Sequence, residues 1–214
     1  MAASGRLITR PHDLLRLAPT AALLHGSGRD VPDWVARSLA RAPYDHPRRA
    51  ETTAGFVPVG VRGATRAERW ATSVSPRDVA EIRTPESLRS VDLWNALPDV
   101  PAAGALRAPA PALGGEWPSW GPTGSVGFSI ATAMPVISTT SDLDLSVRGP
   151  IRLARQTLDR LARLIDRSSA RVDCQVETPA GFAHLEDLRH DGPSMVRTCR
   201  GVEMCEDPWS LTAA

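Results

Sequence analysis

The clearest pattern in the chain is an apolar spacing of three and four residues in its second half. Apolar side chains recur at this interval from Ile151 to Ile165, so residues 151–166 are predicted to form an amphipathic helix. Residues 142–147 and 171–177 flank it and alternate between apolar and polar, which is typical of strands. Strand, helix and strand in this order predict a sheet with a helix packed on it.

The first half of the chain has shorter and weaker patterns. Asp13 precedes the apolar residues 14–17 and is interpreted as the N-cap of a short helix. Residues 31–41 have apolar positions near helical spacing and predict a second short helix. Residues 56–63 read as a strand that ends at a turn, and Pro58 favours an edge position because proline has no N–H to donate.

The middle of the chain predicts short helices around a segment rich in proline, alanine and glycine. Thr84 followed by proline indicates a helix start, so residues 84–93 are predicted to be helical. Residues 98–123 are interpreted as a connecting arm that packs, since free tethers seldom carry tryptophan, and residues 125–133 as a short helix.

These patterns predict an α/β (α+β) protein of two domains. A smaller α+β domain is expected at residues 1–88. The domain at residues 89–214 is expected to have a mixed sheet with helices on it.

Composition narrows the classes of function. The 214 residues carry a net charge of +1, so no overall field recruits DNA, RNA or an anionic membrane. All 25 basic residues are arginine, which excludes mechanisms that need lysine, such as a Walker phosphate loop or a Schiff base. The three cysteines support neither a disulfide framework nor a zinc ribbon. No apolar run approaches a membrane span and no signal core is evident, so a cytoplasmic location is expected.

Carboxylates concentrate on the two predicted strands of the second domain. Alternation places Asp142 and Asp144 on one face and Leu143 and Leu145 on the other, with the Cα atoms of the acids roughly 6–7 Å apart. Asp173 on the later strand is expected on the same side. Like charges this close repel unless a cation lies between them, and Mg²⁺ prefers oxygen ligands. The alternative is a solvated polar face of the sheet.

A glycine-rich turn precedes these strands. Gly124 and Ser125 stand at the predicted start of a helix, where backbone N–H groups bind phosphate oxygens. The alternative is a structural turn with Ser125 as the helix cap. Arg148, beyond the first strand, and Arg152, on the next predicted helix, are candidates for contacting a triphosphate. The alternative, which the sequence favours, is that each is an ordinary surface arginine.

Together, these motifs resemble the malonate decarboxylase holo-acyl-carrier-protein synthase family, the phosphoribosyl-dephospho-CoA transferases of the nucleotidyltransferase superfamily. The resemblance is spread over nearly the whole chain and is most specific between residues 121 and 179. It is carried by RPHDLL at 10–15, PVGVRG at 58–63, GPTGSVGF at 121–128, SDLDL at 141–145, RVDCQVETP at 171–179 and DPW at 207–209.

The resemblance implies a specific reaction and a nucleotidyltransferase-like second domain. The donor would be 2′-(5″-triphosphoribosyl)-3′-dephospho-CoA, the acceptor a serine of the acyl-carrier subunit of malonate decarboxylase, and the leaving group pyrophosphate. The family's paired catalytic aspartates correspond to Asp142 and Asp144, which would hold Mg²⁺. Asp173 corresponds to the third acid and would bind a second metal or accept the proton of the serine.

The first domain is expected to bind the carrier protein or the long CoA arm, because the reaction needs a second macromolecular surface. Arg62 and Arg66 could pair with an acidic carrier.

Two other classes of function stay open. A different Mg²⁺-dependent nucleotidyltransferase that uses ATP on a protein or small molecule would share every site residue. A non-catalytic binding protein with a decayed site is the second alternative, although the intact acids argue against it.

Overall fold

A computed structural model describes residues 9–23, 30–50, 55–65, 67–107 and 118–210. The chain divides into two compact units, Met1–Thr84 and Pro85–Ala214. Each unit has a sheet of its own with helices beside it, which confirms the mixed α/β (α+β) class. The nucleotidyltransferase-like topology stays a prediction, and so does the role of each domain.

The first unit is built on a five-stranded sheet with the order β4-β3-β2-β1-β5, in which neighbouring strands pair antiparallel. Its elements are β1 (Leu14–Leu17), α1 (Asp33–Arg41), β2 (Tyr44–Pro47), β3 (Val57–Arg62), β4 (Arg69–Val74) and β5 (Val79–Arg83). Its buried core lies on the sheet and consists of Leu15, Leu17, Val57, Val59 and Val74. The helix predicted at residues 31–41 is confirmed by α1.

The helix predicted at residues 14–17 is wrong, because this segment is β1. The strand pairs with β2 on one side and β5 on the other, so tertiary pairing outweighs a four-residue pattern too short to define a period. Asp13 does not cap a helix. Its Oδ2 accepts a hydrogen bond from the backbone N–H of Arg10 at 2.7 Å, which closes a tight turn before the strand.

The strand predicted at residues 56–63 is confirmed by β3, but its edge position is wrong. β3 lies between β4 and β2. The Pro58 carbonyl accepts a hydrogen bond from the N–H of Arg48 at 2.9 Å, just beyond Pro47, where β2 ends. In an antiparallel sheet the N and the C=O of one residue point to the same neighbouring strand. The side of Pro58 without an N–H therefore faces residues just beyond the end of β2, where the regular pairing stops.

The second unit is built on a six-stranded sheet with the order β11-β10-β9-β8-β7-β6. Its elements are α2 (Val91–Asn95), α3 (Pro101–Arg107), β6 (Trp120–Pro122), α4 (Gly124–Thr132), β7 (Leu143–Arg148), α5 (Arg155–Asp166), β8 (Val172–Thr178), β9 (Gly181–His184), β10 (Ser194–Arg197) and β11 (Val202–Cys205). β7 and β8 pair in parallel through the crossover helix α5, as parallel neighbours require, and the other described pairs are antiparallel. Within the described ranges, none of these helices has the length and apolarity to cross a bilayer.

The structure confirms the strands predicted at 142–147 and 171–177 as β7 and β8, and the helix predicted at 125–133 as α4. The helix predicted at 151–166 begins later, at Arg155, after an extended Ala154. Ile151, the first position of the apolar pattern, is 76% exposed, so it does not belong to the buried face.

Residues 84–123 contain more regular structure than the sequence suggests. The helix predicted at 84–93 divides into a 3₁₀ turn, Pro85–Leu88, and α2. Leu88 is buried in the second unit, so the chain divides slightly before the predicted boundary after residue 88.

The arm predicted at 98–123 packs in its described part, as expected, but it is wrong that this part only connects, because it contains a helix and a strand. α3 buries its alanines and Leu106, and β6 is a strand of the sheet. Trp120 packs on Trp94 with ring centroids 6.2 Å apart. Trp117 lies outside the described residues.

One carboxyl group of the first unit lies in its apolar core. Asp45 of β2 is opposite Leu15 of β1 and is fully buried. Neither carboxyl oxygen has a hydrogen-bond partner in the part of the chain that the structure describes. Burial raises the pKa of Asp45 from its ordinary value of 3.8 to about 7.

This buried acid makes stability depend on pH. Between pH 4 and 7 the unfolded chain has already lost the proton that the folded chain keeps, so stability falls as pH rises through that window. This pKa shift corresponds to about 4 kcal/mol of folding stability, which is present at acid pH and fully lost above pH 7.

We expect Asp45→Asn to remove this slope, because the amide does not ionise. The free energy of unfolding of the variant relative to the parent protein should rise by a few kcal/mol between pH 4 and pH 8. Urea unfolding at both pH values measures it. Asp99→Asn, which alters a fully exposed carboxylate, is the control and should show no such change. Equal slopes for Asp45→Asn and the parent protein would contradict the assignment.

Candidate active site

The site lies on the polar face of the β7–β8 pair. Leucine, valine and cysteine side chains fill the opposite, buried face of both strands. The parallel register places the polar side chains in three rows across the two strands, because register partners project from the same face. The rows are Asp144 with Asp173, Ser146 with Gln175, and Arg148 with Glu177.

The first row contains two of the three predicted acids. Asp144 and Asp173 stand side by side, as the alternation predicts. Asp142 lies just before β7, and its carboxylate is 3.8 Å from the exposed guanidinium of Arg171. Within the described ranges, no three His, Cys, Asp or Glu side chains are arranged to hold a metal ion. The three acids therefore do not form a preformed metal cage, and their metal-binding role stays a prediction.

The glycine turn predicted to bind phosphate lies directly against the first row. The N–H of Thr123 donates to the carbonyl of Asp144 at 2.8 Å, which anchors the turn to β7. Gly124 follows with φ +58°, and a Cβ at this position would lie 1.8 Å from Oδ2 of Asp144. Only glycine satisfies both the left-handed backbone and this close approach.

The N-terminus of α4 begins at the glycine turn. Its N-cap is Thr123, not Ser125 as the structural alternative supposed, and the Thr123 side chain makes no capping hydrogen bond. The first N–H groups of a helix lack partners within the helix and carry partial positive charge. Ser125 is half-buried in this first turn.

The residues present fit a bound Mg²⁺. Mg²⁺ commonly keeps several waters and is held by one or two carboxylates together with substrate phosphates, so a cage of three protein ligands is not required. Oδ1 of Asp173 is buried while the side chain as a whole is 36% exposed, so its Oδ2 is accessible to a cation. Moreover, a phosphate on the turn at Gly124 would meet the carboxylate of Asp144, and two anions this close need a cation between them.

Arg148 is buried in ion pairs that stabilise the fold. Its side chain is 6% exposed and forms ion pairs with Glu86 and with Glu177, its register partner. Burial acts to lower the pKa of Arg148, but hydrogen bonds and charge from the two glutamates outweigh it and raise the pKa. Its Cα lies roughly 13 Å along β7 from that of Asp144. The structure therefore does not bring Arg148 to the carboxylates.

Arg152 is also separate from the acidic row. It lies between β7 and α5 and not on the helix, where the sequence placed it. Its exposed guanidinium pairs with Asp207 and lies 5.3 Å from the ring centroid of Trp209. It lines a cleft of about 300 Å³ beyond the far end of β7. A triphosphate contact for Arg148 or Arg152 stays a prediction.

Sequence reasoning missed His184. This residue ends β9, next to Gln175 of β8, and its Nε2 lies 3.2 Å from Oδ1 of Asp173. Alternation carried across the β8–β9 hairpin would have found it, because residues 178–181 form a tight turn that fixes which side chains share a face.

Comparison with known proteins gives consistent matches over both units. The family model described as phosphoribosyl-dephospho-CoA transferase MdcG C-terminal domain matches residues 87–208. The model for the N-terminal domain of the same family matches residues 10–85. No solved structure matches the chain.

Proteins named phosphoribosyl-dephospho-CoA transferase are similar along their whole length. One from Pseudomonas putida is 36% identical over 205 residues, which cover 94% of this chain and 96% of the relative. One from Klebsiella pneumoniae is 37% identical with the same coverage of both chains. One from Pseudomonas aeruginosa is 34% identical and covers 94% of each.

We expect Arg148→Met to lower the free energy of unfolding by about 3 kcal/mol or more, because it leaves Glu86 and Glu177 close together without their cation. Arg152→Met is the matched control. Its ion pair is exposed, so the loss should stay within about 1 kcal/mol. Urea unfolding measures both. If Arg148→Met unfolds like the parent protein, the structural role assigned to Arg148 is wrong.

Proposed function

The chain belongs to the phosphoribosyl-dephospho-CoA transferase family and is a transferase enzyme, and we propose that it attaches the prosthetic group of malonate decarboxylase to the acyl-carrier subunit. The donor is 2′-(5″-triphosphoribosyl)-3′-dephospho-CoA and the acceptor is a serine hydroxyl of the carrier. The observation that carries the proposal is the row of Asp144 and Asp173 beside the glycine turn at Gly124. This arrangement supports the proposal, because phosphoryl transfer relies on metal-binding carboxylates near a backbone that can hold phosphate oxygens.

In this proposal Asp142 and Asp144 hold Mg²⁺, and the oxygens of Asp173 complete the site. When bound, Mg²⁺ supplies positive charge that stabilises the triphosphate as pyrophosphate departs. The first N–H groups of α4 and the Ser125 hydroxyl hold the outer phosphate oxygens. Gly124 permits the approach because it has no side chain to fill the space beside Asp144.

The chemical step transfers one phosphoryl centre. The serine oxygen bonds to the α-phosphorus of the donor, and the bond from that phosphorus to the bridging oxygen of pyrophosphate breaks with its electrons. The serine proton passes to the carboxylate of Asp173, which acts as general base. The product is a phosphodiester between the serine and the 5″-phosphoribosyl-dephospho-CoA group.

The first unit is proposed to bind the carrier protein or the CoA arm. Arg62 ends β3 with an exposed side chain, suited to an acidic partner. Arg66, the second arginine assigned to this role, lies outside the described residues.

The test is the intact mass of the apo carrier subunit after incubation with the enzyme, the donor and Mg²⁺. We expect the mass to rise by one phosphoribosyl-dephospho-CoA group. Asp144→Asn should slow the reaction at least about 100-fold, because loss of a metal ligand removes several kcal/mol of stabilisation from the transition state. Asp99→Asn, at a fully exposed carboxylate outside the sheet, is the control and should react normally.

Three outcomes would contradict the proposal. An unchanged carrier mass with authentic donor and carrier would refute the specific reaction. Transfer of AMP from ATP in parallel incubations, in place of the CoA derivative, would identify a different nucleotidyltransferase. Normal transfer by a folded Asp144→Asn variant would remove the acidic row from the mechanism.

A further inference from the structure

His184 contacts the acidic row of Asp144 and Asp173 through Oδ1 of Asp173, which lies 3.2 Å from its Nε2. On antiparallel strands a residue reaches both its direct partner and the diagonal neighbour on the same face. His184 is the direct partner of Gln175, and Asp173 is its diagonal neighbour. The imidazole therefore projects from the same face as Asp144 and Asp173.

A hydrogen bond to the ring of His184 fixes which nitrogen faces the acid. Its Nδ1 accepts a hydrogen bond from the backbone N–H of Glu186 at 3.3 Å. In the neutral ring the proton is therefore assigned to Nε2, which lies 3.2 Å from Oδ1 of Asp173. The one acceptor nitrogen of the ring is thus engaged by Glu186 and the other carries the proton, so His184 is not placed to accept a proton from a substrate.

The two oxygens of Asp173 have different environments. Oδ1 is buried, and its contact with His184 is close in distance although not well aligned as a hydrogen bond. The side chain as a whole is 36% exposed, so Oδ2 is the oxygen accessible to a ligand. The imidazole thus borders the buried side of the carboxylate and leaves the other side open.

We infer that His184 is a positioning residue that holds Oδ1 of Asp173, so that Oδ2 faces the metal and the acceptor hydroxyl beside Asp144. The inference rests on the role proposed for Asp173 above. Groups that orient a metal-binding side chain commonly contribute 10–100-fold to metal affinity or activity. The contact also places a donor N–H beside two carboxylates that would otherwise repel each other.

Two substitutions separate positioning from packing. His184→Gln keeps an N–H donor near the position of Nε2, whereas His184→Phe keeps a ring without a donor. His190→Phe is the matched control for metal binding, because His190 is another exposed histidine of the same unit and lines the cleft of Arg152, not the acidic row. Thermal unfolding of each variant establishes that it is folded.

The first measurement is Mn²⁺ binding, which does not depend on catalysis. The electron paramagnetic resonance signal of free Mn²⁺ reports how much metal remains unbound. We expect His184→Phe to weaken binding about 10–100-fold, and His184→Gln and His190→Phe to stay within about threefold of the parent protein. Equal binding by His184→Phe and the parent protein would overturn the inference. Absence of Mn²⁺ binding by the parent protein in the millimolar range would overturn it as well.

The second measurement is the rate of transfer. His184→Phe should lower kcat by a similar factor with little change in the KM of the donor, and His184→Gln should restore most of the loss. Adding His184→Phe to Asp173→Asn should have almost no further effect, since the side chain to be positioned is already altered. The inference would be overturned if the two substitutions lowered kcat independently, so that the loss in the double variant were the product of the two single losses.

These results distinguish the two proposals from each other. If the parent protein transfers nothing to the carrier, the proposed function fails, and the Mn²⁺ comparison still decides whether His184 positions Asp173. If transfer is normal but His184→Phe and His184→Gln behave alike in binding and rate, the function stands and the positioning role fails.

Discussion

The parallel register of β7 and β8 is the constraint on which the site depends. Side chains on the buried face of the pair, among them Leu143, Leu145 and Cys174, fix this register. A slip of one residue would exchange the two faces of a strand and bury its acids, so packing on one side sets the chemistry on the other. The position of Asp173 beside Asp144 is therefore a consequence of the hydrophobic core.

The charged side chains differ between the two ends of the polar face of β7 and β8. At one end the cation of Arg148 lies between two glutamates, and the group is nearly buried. At the other end Asp144 and Asp173 stand side by side, half exposed, and Asp144 lies beside the N-terminus of α4. The first end stabilises the fold, whereas the two carboxylates of the second end can attract a cation and, through it, a polyphosphate.

Local patterns predicted those elements whose period extends over many residues. The strands at 142–147 and 171–177 and most of the helix at 151–166 follow from alternation and helical spacing, and they brought Asp144 and Asp173 together correctly. Short segments failed because tertiary pairing decides them: residues 14–17 form a strand only through β2 and β5. The burial of α3 likewise depends on contacts that an alanine-rich sequence does not specify.

Distance along the chain explains the remaining differences at the site. Arg148 is close to Asp144 in sequence and shares its face, yet four residues of extended strand separate their Cα atoms by roughly 13 Å. His184 is far away in sequence, but two strand pairings and one tight turn return it to Asp173. Because a strand rises about 3.3 Å per residue, its later side chains soon lie far from a site at its start, whereas a hairpin returns the chain to that site. The neighbours of an acidic row are therefore better sought on the next strand of the sheet than further along the same one.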